Sequence, residues 1–345
     1  MGEGASVLTT ADVDVLRDTG VFRAFVPEQY GGGAETVEEI ARRIAQVSAW
    51  NADAGWLAAI AAVTNLAVAQ FPEATLDEIW GADADALIGG TLAPSGTLST
   101  TAGETVVTAV SAPVSGLRFA SWVMATVADT DSHRLSRVLV PIGQVRAECT
   151  WNALGLTGAG GDTAHLDGVA VPARRVLSLA DPRAEAPLTF FATLFFASSV
   201  VGMARSAASL LDREITAARG AETPSKRWSR PDVRLSASDA LRQMERAEAL
   251  LAAATSGLTT RARIDGMTAR ALSRAADLAV SAVGEAESVV PRLLGSLGPD
   301  ALAPGHPLAR AHGNVTTAAR HTSLSAAKAA LAHQAALFPE ATCTA

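Results

Sequence analysis

The chain has 345 residues, 49% apolar and 18% charged, and 28 Lys and Arg against 35 Asp and Glu give a formal net charge of −7 at pH 7. This is too apolar for a disordered chain, and the acidic excess argues against nucleic acid or an anionic membrane surface as a partner. Two cysteines, Cys149 and Cys343, cannot frame a disulfide scaffold or a cysteine-rich metal centre, and the six histidines form no HExxH or HxxxH pair, so no metal is expected.

Residues 1–86 read as a helical domain. The N-terminal stretch has neither the basic nor the apolar region of a leader, so a cytoplasmic protein is expected. Thr or Asp caps precede Val13, Leu16 and Val21, and Pro27 to Gly33 (PEQYGGG) is a turn. Thr36 and Glu39 have capping-box spacing ahead of Ile40, Ile44 and Val47. A helix from about Ala52 to Phe71 is apolar nearly all round, which predicts burial between other helices.

Composition changes near Leu87. Residues 87–178 are rich in Gly, Thr, Ser and Val, with β-type runs at 105–110, 122–128, 137–141 and 168–172, and predict a compact β domain. Residues 179–345 turn helical and alanine-rich, with breaks at Gly220–Pro231 and Gly295–Pro307, and predict about four long helices in an up-and-down bundle. The most apolar stretch, Phe190 to Met203, holds serines and a glycine and falls short of the ~20 residues that span a bilayer.

Two local motifs carry little. Gly155 to Gly161 is glycine-rich but lacks dinucleotide-binding spacing and leads into a β-type run. Ser325 to Lys328 fits SxxK without its companion motifs. The last helix is more informative. At 100° per residue, Arg310, Asn314, Thr317, His321 and Lys328 share one stripe, which either faces solvent or lines a cleft against the β domain. His321 is the residue in it able to exchange a proton near neutrality.

The order of these regions and a series of short runs resemble the acyl-CoA dehydrogenase fold, and within it the flavin-dependent two-component monooxygenases. The runs are Gly20 to Pro27 with Tyr30-Gly31-Gly32, Asp53-Ala-Gly-Trp56, Gly89 to Gly96, Val114 to Ser121, Trp151 to Asp162, Val169 to Pro172, and Gly313-Asn314 with His321 seven residues beyond. The resemblance implies a helical N-terminal domain, a central β domain and a C-terminal bundle. It also implies a reduced FMN or FAD delivered by a separate flavin reductase, a small aromatic or natural-product substrate, and a homodimer or homotetramer packed through residues 187–337.

By the same resemblance, Ser95, Ser121, Trp122, Trp151, Thr157, Gly158 and Gly160 contact the flavin, and Arg219 reaches the flavin phosphates of a neighbouring subunit. His321 is the acid or base, and Asn314 orients the site without carrying the proton. The departures are specific: Trp122 stands where the family has a glycine, Thr157 to Gly161 replaces an Arg-Gly-Thr-Gly-Ser run, and Gly313-Asn314 replaces Arg-Asp. They leave three other readings open. One is a dehydrogenase-like oxidase using Glu245, Glu248 or Glu285, another a flavin-free cyclase or isomerase using His321, and the third a scaffold without turnover.

Overall fold

The structure, a computed structural model, describes residues 8–179, 186–220, 226–259, 266–303 and 305–338; Cys343, and with residues 221–225 and Pro304 part of each expected helix break, lie outside them. The chain begins with helices α1 (Thr10–Asp18), α2 (Val37–Trp50), α3 (Ala52–Val68) and α4 (Glu73–Ile79). Both expected N-caps form as reciprocal capping boxes, Thr9 with Asp12 on α1 and Thr36 with Glu39 on α2. From Ala54 to Val68 every residue of α3 is buried, as its apolar circumference requires.

Seven strands follow: β1 (Ile88–Thr101), β2 (Glu104–Val114), β3 (Trp122–Asp129), β4 (Leu135–Pro141), β5 (Arg146–Glu148), β6 (Asp162–Ala170) and β7 (Val176–Ser178). They form one sheet in the order β5-β6-β2-β1-β3-β4-β7, antiparallel except for the parallel pair β1 and β3. β1 is not evident from its sequence because it carries three glycines and Pro94. The structure accommodates Pro94 at a register shift against β3, where a missing N–H interrupts no regular ladder.

The C-terminal helices are α5 (Ala186–Gly220), α6 (Pro231–Thr255), α7 (Ala269–Leu297), α8 (Pro307–Ala319) and α9 (Ala326–Leu337). Two expectations need correction. The apolar stretch from Phe190 belongs to a 35-residue helix, of which Pro187–Gly220 is long and apolar enough to cross a membrane; 89% of its most apolar window is buried, which makes it the core helix of the bundle. The supposed final helix is two helices separated by a single turn at Thr322–Leu324.

α2, α3 and α5 pack through small residues. A Cβ on Gly55 would lie 1.9 Å from Ser48 Oγ, and one on Gly202 would lie 2.1 Å from the carbonyl oxygen of Ala45. The buried hydroxyls of Ser48 and Ser199 satisfy each other at 2.9 Å. One continuous core thus runs from α1 through α3 and α5 to α8, and a second, of Val, Leu and Ala, lies within the sheet.

Candidate active site

The break between α8 and α9 places His321. Its backbone is extended, and its Nδ1 accepts the N–H of Ser323 at 3.3 Å, so the imidazole caps the turn after α8. Ser325 then caps α9 by accepting the N–H of Lys328, and Thr193 Oγ1 on α5 donates to the Ser323 carbonyl at 3.1 Å. Arg310, Asn314, Thr317, His321 and Lys328 therefore do not form one helical stripe, because the axis ends at Ala319. Caps supplied by His321 and Ser325 stop the helix without Gly or Pro, and this is why alanine periodicity misreads it.

The His321 ring packs against Phe196 at 4.3 Å between centroids and meets the edge of Trp56 at 5.7 Å, while Trp56 stacks on Phe196 at 4.8 Å. Trp56 Nε1 donates to Ser115 Oγ at 3.1 Å, which fixes the indole. Burial among these rings pushes the imidazolium pKa down to about 4, with the Lys328 ammonium adding to the effect. His321 is neutral at pH 7. Its Nε2 makes no hydrogen bond within the described protein and is not sealed from solvent.

The glycine-rich segment 151–161 is clamped from several sides. The N–H of Leu156, a residue at φ +54°, donates to Asn314 Oδ1 at 2.8 Å. Gly158 and Ala159 donate their N–H groups to Asp53 Oδ1 at 3.1 and 2.9 Å, and Gly160 donates to the Leu156 carbonyl at 2.9 Å. Trp151 Nε1 donates to the Gly155 carbonyl at 3.2 Å. Gly155 rests on α8, where a Cβ would lie 2.3 Å from the Gly313 backbone, and a Cβ on Gly158 would lie 2.4 Å from Asp53 Oδ2. The glycines serve close approach of backbone to backbone and to Asp53.

This segment also holds the one before β3. Gly116 donates to the Ala159 carbonyl at 2.7 Å, and Arg118 donates to the Thr157 carbonyl at 3.2 Å. Asp53 sits largely desolvated, which raises its carboxyl pKa, while the Ala159 and Gly158 N–H groups and the nearby Arg118 guanidinium counter that rise.

The expected flavin contacts divide into two groups. Ser121 is half-buried, with its backbone tied to Leu87 and Ile142 and its hydroxyl without a partner among the described residues; the Thr157 side chain is exposed. Trp151 and Trp122 are half-buried indoles, and the Arg175 guanidinium stands 4.8 Å from the Trp122 ring. Gly158 and Gly160, in contrast, direct their N–H groups inward, and Ser95 shares its hydroxyl with Ser111 at 2.7 Å inside the sheet. A flat ring held by aromatic faces and hydroxyls fits these groups; a phosphate cradled by the glycine loop does not.

Arg219 lies apart. It is 23 residues beyond Phe196 on α5, about 34 Å at ~1.5 Å per residue, and lines a separate cavity of about 750 Å³ with Trp228, Arg234 and Glu245. Arg219 and His321 cannot meet around one small ligand within one chain.

Asp53 and Trp56 had no role assigned from sequence, although both stand in the Asp53-Ala-Gly-Trp56 run. Asp53 is the second residue after the Asn51 cap of α3, where a carboxylate is ordinary. Its loop partners lie more than 100 residues away, so nothing local marks it.

Residues 194–336 match the family described as "Acyl-CoA dehydrogenase, C-terminal domain". The oxygenase subunit HsaA of a flavin-dependent monooxygenase from Rhodococcus jostii RHA1 is 31% identical over 166 residues, covering 47% of this chain and 44% of that protein. The oxygenase component of an FADH2-dependent resorcinol hydroxylase from Rhizobium sp. MTP-10005 is 30% identical over 183 residues, 52% of this chain and 45% of that protein. The chain thus aligns with under half the length of these two curated relatives. Solved structures match more widely. XiaF from Streptomyces, in complex with FADH2 and glycerol, superposes with a TM-score of 0.86 at 23% identity over 98% of this chain and 90% of that one. The 3-HSA hydroxylase of Rhodococcus sp. RHA1 gives 0.86 at 25% identity over 96% and 91%. With its sheet set between helical regions and residues 194–336 of its bundle matched by that family model, the chain has an acyl-CoA dehydrogenase-like fold.

Proposed function

We propose that this chain is the oxygenase component of a two-component, reduced-flavin-dependent monooxygenase acting on a small aromatic substrate. The observation that carries the reading is His321, held against Trp56 and Phe196 with Nε2 free. When bound, reduced FMN or FAD supplies the electrons that activate O₂. Trp151, Trp122, Ser121 and Thr157 would hold it, Asp53 and Asn314 keep the 151–161 segment in place, and the aromatic wall excludes water beside His321.

The relatives' designation as oxygenase subunits or components supports a separate flavin reductase and a cytoplasmic setting. Self-association is supported by α9, in which Ala329 is buried while Leu331 and the adjoining Phe338 are 64% and 74% exposed. Arg219, too distant for its own subunit's His321, would then serve a neighbouring subunit in a homodimer or homotetramer.

The test supplies resorcinol, indole-3-acetate and p-hydroxyphenylacetate with reduced FMN or FAD from a reductase, under air and under nitrogen. Hydroxylated product that requires both reduced flavin and O₂ is expected. Turnover that survives both omissions would leave a flavin-free acid–base enzyme, a reading favoured by the inward-facing N–H groups of the glycine loop. No product from any of the three, with no change in the flavin spectrum on adding protein, would overturn the oxygenase assignment.

A further inference from the structure

The same hydrogen bond that places His321 also decides which nitrogen carries its proton. A neutral imidazole has one donor and one acceptor nitrogen, and the partner of one fixes the role of the other. Nδ1 faces the N–H of Ser323 at 3.3 Å and must be the acceptor. The proton is therefore on Nε2, the nitrogen with no partner among the described residues. The two rings packed against it, Phe196 and Trp56, carry no formal negative charge to pair with an imidazolium, and the charged group acting on the ring, Lys328, opposes one.

We propose that His321 works as a fixed Nε2–H donor to an oxygen acceptor, so that the site takes an aromatic hydroxyl in its ionised form and does not itself remove the hydroxyl proton. A base would need a lone pair on Nε2, and forming one means moving the proton to Nδ1, where it collides with the Ser323 N–H and undoes the cap. Donation to a phenolate needs no such change, and the interaction is charge-assisted in a partly desolvated site. The phenol gives up its proton to solvent before or during binding, and His321 keeps its own. The substrate class rests on the oxygenase reading above, whereas the tautomer rests on the local geometry alone.

Two measurements on this chain test this without flavin or turnover. Long-range ¹H–¹⁵N correlation at pH 7, with His321 assigned by its disappearance in His321→Gln, is expected to show a protonated Nε2 and a pyridine-type Nδ1. An Nδ1–H tautomer, or an imidazolium, would overturn the proposal. The second uses 4-nitrophenol as the probe, whose phenolate absorbs separately from the phenol. Wild-type protein is expected to bind the phenolate in preference and so lower the probe's apparent pKa.

His321→Asn keeps an oxygen where Nδ1 accepts the Ser323 N–H but has nothing at the Nε2 position, and should lose ~10–100-fold in phenolate affinity, as expected for one donor to an anionic oxygen. His321→Gln places an amide N–H near the Nε2 position and should lose only a few-fold. Equal affinity in all three proteins, or a probe whose ionisation the wild type leaves unchanged, would overturn the donor role. Failure of the monooxygenase assay would leave these two results untouched, so the two readings fail separately.

Discussion

Two segments build the candidate site, and they are held by opposite means. The 151–161 segment is fixed by directed hydrogen bonds from its own backbone to Asp53 and Asn314. The imidazole of His321 is fixed by one hydrogen bond, from the Ser323 N–H, and by burial against two aromatic rings. The first is rigid because the backbone N–H groups of Leu156, Gly158, Ala159 and Gly160 are already spoken for. The second places a polar atom in an apolar wall and leaves half of its bonding capacity unused. Fully satisfied polar groups make scaffold, and a partly satisfied one is where chemistry can enter.

The comparison breaks most sharply at Asp53. Replacing it with Ala orphans the N–H groups of Gly158 and Ala159 at ~1–3 kcal/mol each, so urea unfolding should show a loss of about 4 kcal/mol. Asp53→Asn retains Oδ1, and since burial raises the folded carboxyl pKa, removing the charge should cost little or stabilise at pH 7. A loss in Asn equal to that in Ala would show that the charge, and not the acceptor, holds the segment.

The His321 turn answers to pH. The unfolded chain protonates this ring near 6.5 and the folded one near 4, so the contribution is complete above pH 6.5 and is lost as pH falls through that window. The difference in stability between wild type and His321→Asn should therefore shift by up to about 3 kcal/mol between pH 7 and pH 4. A difference that stays constant with pH would mean that the ring is not desolvated.

Smaller effects come from the seam between the segment and α8. Gly155→Ala forces a Cβ to within 2.3 Å of the Gly313 backbone, and thermal unfolding should register a loss of ~1–3 kcal/mol. Asn314→Ala leaves the Leu156 N–H without its acceptor, for a loss of about 1–2 kcal/mol. Trp56→Phe keeps an aromatic ring and removes the bond to Ser115, at about 1 kcal/mol, and should change His321's environment least. Amide exchange at Leu156 separates the last two: faster in the Asn314 variant, unchanged in the Trp56 variant.

The sequence reveals more of the fold than of the site. Capping boxes at Thr9 and Thr36, the all-apolar α3 and the composition switch at Leu87 are local signals, and local physics produces the elements they mark. β1 was hidden because its glycines and Pro94 are tolerated only through a register shift made with β3. His321 was reached by resemblance and by a helical stripe that the structure does not contain, since nothing in an alanine-rich run announces a helix stop built from side-chain caps. Asp53 carries no local mark of its role, because that role exists only across a tertiary contact with the 151–161 segment.

α5 has one further consequence. As an uninterrupted 35-residue helix it acts as a gauge, setting both distance and angle between the Phe196 end and the Arg219 end. Inserting one residue between them would advance everything beyond by ~1.5 Å and turn it by ~100°, moving Arg219 off its present face. Most loops of the chain can absorb added length, but this stretch cannot. A neighbouring subunit that met both ends would have to match a fixed number of residues, so the length of α5 would itself be part of that recognition.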